Sequence, residues 1–203
     1  MPERFTGGFF QTNGYLLETP VGSHVLVDAP MGIATWLKAK GITPAALLLT
    51  HQHIDHIDDA AAVAAMGARV YAFSPHSADL TLEAFIQSMG MQVRVEPFVV
   101  NEVLEGRDTL EVEGLRMKLA HVPGHSADSV TFFIPDRGEL YSGDTLLAGN
   151  VGNPDFPGGD LKLLIAGIRG KLLPLPENTQ VLSGHGPATT IGAERAGNPH
   201  CGD

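Results

Sequence analysis

The sequence predicts an α/β protein of the αββα kind, in which two mixed sheets pack face to face and helices cover both outer surfaces. Three observations predict it. Strand-like and helix-like stretches alternate through the first half, the second half is rich in strands and tight turns, and helix signals return after Asp160 and Thr190. Both halves therefore offer several strands with helices to cover them. A plain three-layer α/β fold fits the first half nearly as well. At 203 residues the chain can bury a full core, and a single domain over 1–203 is the simplest organisation.

The elements follow in order. Phe9 to Glu18 suits a strand, Pro20-Val21-Gly22 turns the chain, and His24 to Ala29 suits a second strand paired with the first. Met31 to Lys40 has helical composition with Gly41 as its stop. The apolar run Ala45 to Leu49, extended by Thr50, reads as a buried central strand. Ile57 to Met66 is Ala-rich with Gly67 beyond it, which predicts a helix, and Arg69 to Phe73 returns as a strand. Ser74-Pro75 fits an N-cap and first helical position, predicting a helix to about Ser88. Val99 to Val122 and Ser129 to Ser142 are strand-like, with turns at Glu105–Asp108, Glu113-Gly114 and Pro135–Gly138. Asp160 can cap a helix reaching Leu173, Val181-Leu182 is a short strand, and Thr190 to Ala196 closes the chain as a helix.

Composition excludes several classes. Mean hydropathy of +0.06 and 18% charged residues are those of a globular chain, not of a disordered one. The formal charge of −10 repels phosphate backbones, so no nucleic-acid partner is expected. The single cysteine, Cys201, permits neither an intrachain disulfide nor a thiolate cluster, and near the terminus it reads as an incidental thiol. No apolar run approaches a membrane span and no leader pattern is visible, so a cytoplasmic location without membrane contact is expected.

The chemistry concentrates in THQHIDHID, which begins where the strand Ala45–Thr50 ends. His51 and His53, two apart in an extended chain, point the same way and can grip one metal ion. Asp55 and His56 fall at the start of the following helix, where the chain turns and aims them at an adjacent point. A polar, solvated loop is the bland alternative. Three further ligand-type residues stand in Gly-containing turns after strand-like stretches: His125 in HVPGHS, Asp144 in YSGDTL and His185 in LSGHGP. Gly124, Gly143, Gly184 and Gly186 would let backbone approach a crowded centre. Imidazole and carboxylate without thiolate suit Zn²⁺, Mn²⁺ or Fe.

In this order of ligands the chain resembles the metallo-β-lactamase superfamily over nearly its whole length. The resemblance implies the four-layer sandwich of that family and two divalent metal ions, with zinc as the first expectation and iron or manganese as alternatives. It assigns His51, His53 and His125 to one ion, Asp55, His56 and His185 to the other, and Asp144 to a bridge between them. That bridge is generally cysteine in the β-lactamases of the superfamily, which argues against β-lactam cleavage. Gly143 to Asp160 and Ser183 to Pro199 are most similar to the glyoxalase II (hydroxyacylglutathione hydrolase) branch. Asn153-Pro154 depart from that branch's Arg-Thr and Asp58-Asp59 from its Gly pair. The chain stops at Asp203, soon after Asn198-Pro199, so the glutathione-binding helical extension of longer members is not carried over.

The expected chemistry is thioester hydrolysis of the S-lactoylglutathione type by a metal-bound hydroxide, with Asp55 as the catalytic residue that orients the water or takes its proton. A thiolate leaves without a dedicated acid. A small-molecule substrate, a thioester, is expected, and no protein partner is implied. Two alternatives stand beside it: a mononuclear iron persulfide dioxygenase of the same superfamily, and a non-catalytic metal-binding module. His24, at a strand start, and His76, in the first turn of a helix, read as structural or surface residues, as does His200 in the tail. His121 reads as a strand residue with an open option beside the metals. Phe156, Pro157 and Gly158-Gly159 read equally as a loop beside the site and as a plain turn.

Overall fold

The computed structural model describes residues 2–202. The first sheet orders six strands in sequence: β1 (Glu3–Gly7), β2 (Thr12–Glu18), β3 (His24–Val27), β4 (Ala46–Leu48), β5 (Arg69–Ala72) and β6 (Glu102–Val103). Its first two pairings are antiparallel and the remaining three parallel. The parallel steps are spanned by helices α1 (Ile33–Lys40), α2 (Ile54–Ile57), α3 (Ala60–Ala65) and α4 (Glu83–Ser88). The second sheet is built from β7 (Thr109–Val112), β8 (Leu115–His121), β9 (Val130–Ile134), β10 (Glu139–Gly143), β13 (Gln180–Ser183) and β14 (Thr189–Thr190). β11 (Leu146–Leu147) and β12 (Asn150–Val151) form a small hairpin, and α5 (Leu161–Gly167) and α6 (Ile191–Gly197) complete the chain. Both sheets are mixed, since β13 joins β10 in parallel while its other neighbour is antiparallel.

The period of two along each strand sorts the side chains into layers. Tyr15, Leu17, Val25, Val27, Ala46 and Leu48 face the second sheet, where Met117, Phe132, Ile134 and Tyr141 meet them. Their neighbours Leu16, Leu26, Leu47, Val70 and Ala72 face the other way, onto Ile33, Leu37, Ile57 and Val63 of the helices. Beyond the second sheet, Phe133, Leu140 and Val181 pack against Leu164, Ile168 and Ile191. The order helix, sheet, sheet, helix is thus the predicted αββα sandwich, and the three-layer alternative fails because the second sheet supplies its own covering helices. Among the described residues, no helix is long and apolar enough to cross a membrane.

Local chemistry sets the boundaries. Asp160 accepts from the Leu163 N–H at 3.0 Å and Thr190 from the Ala193 N–H at 3.2 Å, so both predicted caps form, each worth about 1 kcal/mol. Gly41 closes α1 at φ 67°. Beyond α5 the chain widens into a π turn over Ile168–Leu172.

Four expectations are corrected. The first strand of the pair begins at Thr12, and Phe9-Phe10 lie exposed in a turn after the additional edge strand β1, whose residues ERFTG lack an apolar alternation. The Ala-rich helix starts at Ile54 and is broken into α2 and α3, because the Asp59 carboxylate leaves it to accept from the Gly32 and Ala34 N–H groups at the start of α1. Ser74-Pro75 do not start a helix: their carbonyls accept from the Gln52 side chain, Ser77 caps a short 3-10 turn at Ala78–Leu80, and left-handed Leu82 precedes α4. His76 therefore lies outside any helix and pairs with the Gln52 Oε1 at 3.0 Å. Cys201 is buried in the third apolar cluster, where burial pushes its thiol up to about 11 and Arg169 holds its carbonyl at 3.2 Å.

Candidate metal centre

Strands β8, β10 and β13 run in one direction, so their C-terminal ends open on one rim, and β4 ends there too. Two backbone bonds tie the sheets together at this rim, from the Val130 N–H to the Thr50 carbonyl at 2.8 Å and from the Asn13 N–H to the Gly184 carbonyl at 2.7 Å. After β4 the chain stays extended through His51 and His53, then turns into α2 with Asp55 and His56 in its first turn. His125, Asp144 and His185 follow β8, β10 and β13. At Gly143, φ 51°, β10 bulges out of register with β13, which re-aims Asp144 towards the histidines.

All seven predicted residues converge, in overlapping groups whose ligand atoms lie within 4.8 Å: His51, His53 and His125; Asp55, His56 and His185; and His51, His56 and Asp144. Asp144 lies between the first two. Its Oδ1 is 3.4 Å from His56 Nε2, and its Oδ2 is 3.2 Å from His185 Nε2 and 3.6 Å from His125 Nε2. Asp55 Oδ2 lies 3.3 Å from His185 Nε2 and 3.6 Å from His56 Nε2.

Each imidazole but one is oriented through its far nitrogen. His51 Nδ1 is 3.1 Å from the Thr50 hydroxyl, His56 Nδ1 2.8 Å from Asp28 Oδ2, His125 Nδ1 2.9 Å from the Asn153 carbonyl and His185 Nδ1 3.1 Å from the Phe10 carbonyl. Such contacts fix the tautomer and turn Nε2 inwards. Asp28, Asn153 and Phe10 were not among the predicted site residues. Asp28 carries the most: it also accepts from the Thr50 N–H at 2.8 Å and the Thr50 hydroxyl at 2.7 Å, and it holds a left-handed φ of 58° to do so. An aspartate ending a strand before Ala29-Pro30 is the signal that could have found it. Thr12, also unpredicted, donates its hydroxyl to Asp55 Oδ2 at 2.6 Å.

Burial and charge divide the histidines. Burial holds His51 well below the usual imidazole range, His53 down to about 3, and His125 also low. Burial would lower His56 too, but Asp55, Asp144 and Asp28 overcome it and raise it well above. His185 is raised to about 9 in the same way by Asp144 and Asp55. For Asp144, burial works upwards and the facing imidazoles override it, holding the carboxyl well below the carboxylate range; Asp55 is held at about 2 by the same balance.

These residues fit divalent cations. His51 Nε2, His56 Nε2, His125 Nε2 and Asp144 Oδ1 are buried without a hydrogen-bond partner, and a buried polar atom left so costs about 1–3 kcal/mol. Such atoms, gathered in adjacent groups, account for themselves as ligand atoms, and a set of nitrogen and carboxylate donors suits zinc, iron or manganese.

The remaining residues sort themselves around this cluster. Phe156 lies edge-on to His53 and His125 at 5.6 and 5.8 Å, so its loop is beside the site. A cleft of about 470 Å³ leads to His125, Asp144 and His185 between Leu147, Val151, Phe156, Leu161 and His200. A larger cavity, about 760 Å³, lies on the outer face of the second sheet and touches none of the seven residues; ligand chemistry, not volume, locates the centre. His121 belongs to that outer cavity, stacked on Phe73 at 3.8 Å with Nε2 on the Ala127 carbonyl, and the option of a place beside the metals falls. Of the four glycines, Gly184 is the one pressed by the cluster: a Cβ there would collide with the Asp144 carboxylate and come 2.5 Å from the His56 ring. Gly143 is pressed by Thr50 and Gly124 by α5, while Gly186 meets open space. Gly184→Ala is therefore expected to leave the sandwich folded but lower metal affinity by about 10–100-fold, as displaced ligands do; competition with a chromogenic chelator measures it, and unchanged affinity would show that the site accommodates the methyl.

The comparisons agree with this geometry. The family model of the metallo-β-lactamase superfamily matches residues 7–185. A probable metallo-hydrolase of Bacillus subtilis (strain 168) is 35% identical, with 97% of this chain and 95% of that protein covered. A hydroxyacylglutathione hydrolase of Haemophilus influenzae (strain ATCC 51907 / DSM 11121 / KW20 / Rd) is 34% identical over 75% of this chain and 74% of its own. Among solved structures, the BLEG-1 B3 metallo-β-lactamase superposes with a TM-score of 0.90 at 35% identity, covering 98% of each chain. TTHA1623 in a di-iron-bound form reaches 0.80 at 36%, covering 97% of this chain and 98% of its own. With the αββα sandwich and the His/Asp cluster at its rim, the chain belongs to the metallo-β-lactamase superfamily.

Proposed function

We propose that the protein is a binuclear metallohydrolase acting on thioesters of the hydroxyacylglutathione type. The observation that carries this reading is Asp144, whose carboxylate lies within 3.6 Å of His56, His125 and His185, members of both candidate ligand groups, so that it could be shared between two ions. Divalent ions, zinc in the first instance, would supply a hydroxide near neutral pH and polarise the acyl carbonyl. Asp28 and the other Nδ1 partners hold the imidazoles in place for this. Asp55 is set by Thr12 and His185, and with a carboxyl held at about 2 it is a poor proton store at neutral pH; its task is to orient the attacking water. Leu147, Phe156 and Leu161 line the cleft with apolar surface for the acyl group. A thiolate leaves without a dedicated general acid.

The test is a substrate panel on zinc-loaded and iron-loaded protein: S-lactoylglutathione, glutathione persulfide with oxygen uptake followed, and a chromogenic cephalosporin. Chelator-sensitive thioester hydrolysis with kcat/KM of at least about 10⁴ M⁻¹s⁻¹ is expected. Oxygen uptake or β-lactam cleavage in place of thioester hydrolysis would overturn the assignment.

A further inference from the structure

We infer that His200 is a specificity residue that receives a carboxylate of the substrate at the mouth of the metal cleft. The inference deepens the thioester reading and rests on it for the substrate class. His200 is an exposed side chain on the cleft wall, in the same lining as His125, Asp144 and His185. Apart from those candidate ligands, it is the one side chain among the described residues of that lining able to carry positive charge; the others are Leu147, Asn150, Val151, Gly152, Asn153, Pro154, Phe156 and Leu161. In a chain of net charge −10, an anionic substrate meets no lysine or arginine there.

The position of His200 is built, not incidental. Glu194 and Asn198 are both buried, and their side chains bond each other at 2.7 Å. From there Asn198 Nδ2 donates to the Asn150 carbonyl at 3.0 Å, and the Gly149 N–H donates to Glu194 Oε2 at 2.9 Å, which clamps the tail to the β11–β12 hairpin of the cleft. Asn198 Oδ1 accepts from the His200 N–H itself at 3.0 Å, and on its far side Cys201 is sunk into the core. Buried polar networks of this kind are retained where they fix a geometry. The backbone so fixed sets His200 in the lining of the cleft that leads to the candidate ligands.

Two readouts test the inference. With S-lactoylglutathione against the uncharged lactoyl thioester of N-acetylcysteamine, His200→Ala is expected to lower the preference for the anionic substrate about tenfold, chiefly through KM, and His200→Arg to restore it. In calorimetry, the Kd of the metal-loaded protein for the non-hydrolysable S-methylglutathione should weaken about tenfold in His200→Ala. An equal loss on both thioesters, or an unchanged Kd, overturns the inference. If no thioester is turned over by the wild type, the functional reading fails, and His200 then stands or falls on the S-methylglutathione Kd alone.

Discussion

Asp144→Asn is expected to lower turnover by roughly a thousandfold, about 4 kcal/mol of transition-state stabilisation. The substitution keeps the shape of the side chain and removes one negative charge from a buried point 3.2–3.6 Å from three imidazole nitrogens. An amide also places N–H donors where ligand atoms are wanted. Metal content should fall from the proposed two ions per chain to about one, because the carboxylate lying beside members of both candidate groups is the one lost. Metal analysis beside kcat/KM, with circular dichroism to confirm the fold, checks it. A variant that kept two ions and full activity would remove Asp144 from the bridging position.

The second large effect is on metal uptake with pH. In the metal-free protein His56 is raised well above the usual imidazole range and His185 to about 9, so both carry protons at pH 7. Those protons stabilise the metal-free fold: for His185 the contribution is complete below the unfolded value near 6.5 and is lost as pH rises through about 9. A metal ion needs the neutral imidazole and must displace the proton. Loading should accordingly release up to two protons per chain, and apparent affinity should rise about tenfold per pH unit for each proton displaced, levelling off for His185 near pH 9. Calorimetry in buffers of different ionisation enthalpy counts the protons; affinity independent of pH between 6 and 8 would contradict the charge balance described above. Asp55, held at about 2, works in the opposite sense: its contribution is present above the unfolded value near 4 and is lost only as pH falls through about 2.

The candidate centre was legible because its residues are dense and sit at strand ends. THQHIDHID places four ligand-type residues in six positions, and a strand followed by an extended step and then a helix turn sends them to two neighbouring points. The helpers were less legible. Asp28 looks like the last residue of an ordinary strand, Thr12 like any strand threonine, and Phe10 and Asn153 act through backbone carbonyls that every residue carries. Only folding brings Thr12 beside Asp55, 43 positions away, or Phe10 beside His185, 175 positions away.

The same division runs through the fold. Elements with a strong local signal formed where the sequence placed them: α1 with Gly41, α5 capped by Asp160, α6 capped by Thr190. Those that moved did so because a distant partner took their backbone groups. Gln52 holds the carbonyls of Ser74 and Pro75, and Asp59 serves the N-terminus of α1 instead of continuing its own helix. Periodicity and ligand spacing, which are local, determined the class of fold and the candidate metal ligands. The tertiary structure alone decided that Asp144 lies between two groups of histidines, that Asp28 aims His56, and that a buried Glu194–Asn198 pair brings His200 to the cleft. The first two are contacts between residues far apart in sequence, and the third depends on the bonds from Asn198 and Glu194 to Asn150 and Gly149, 48 and 45 positions away.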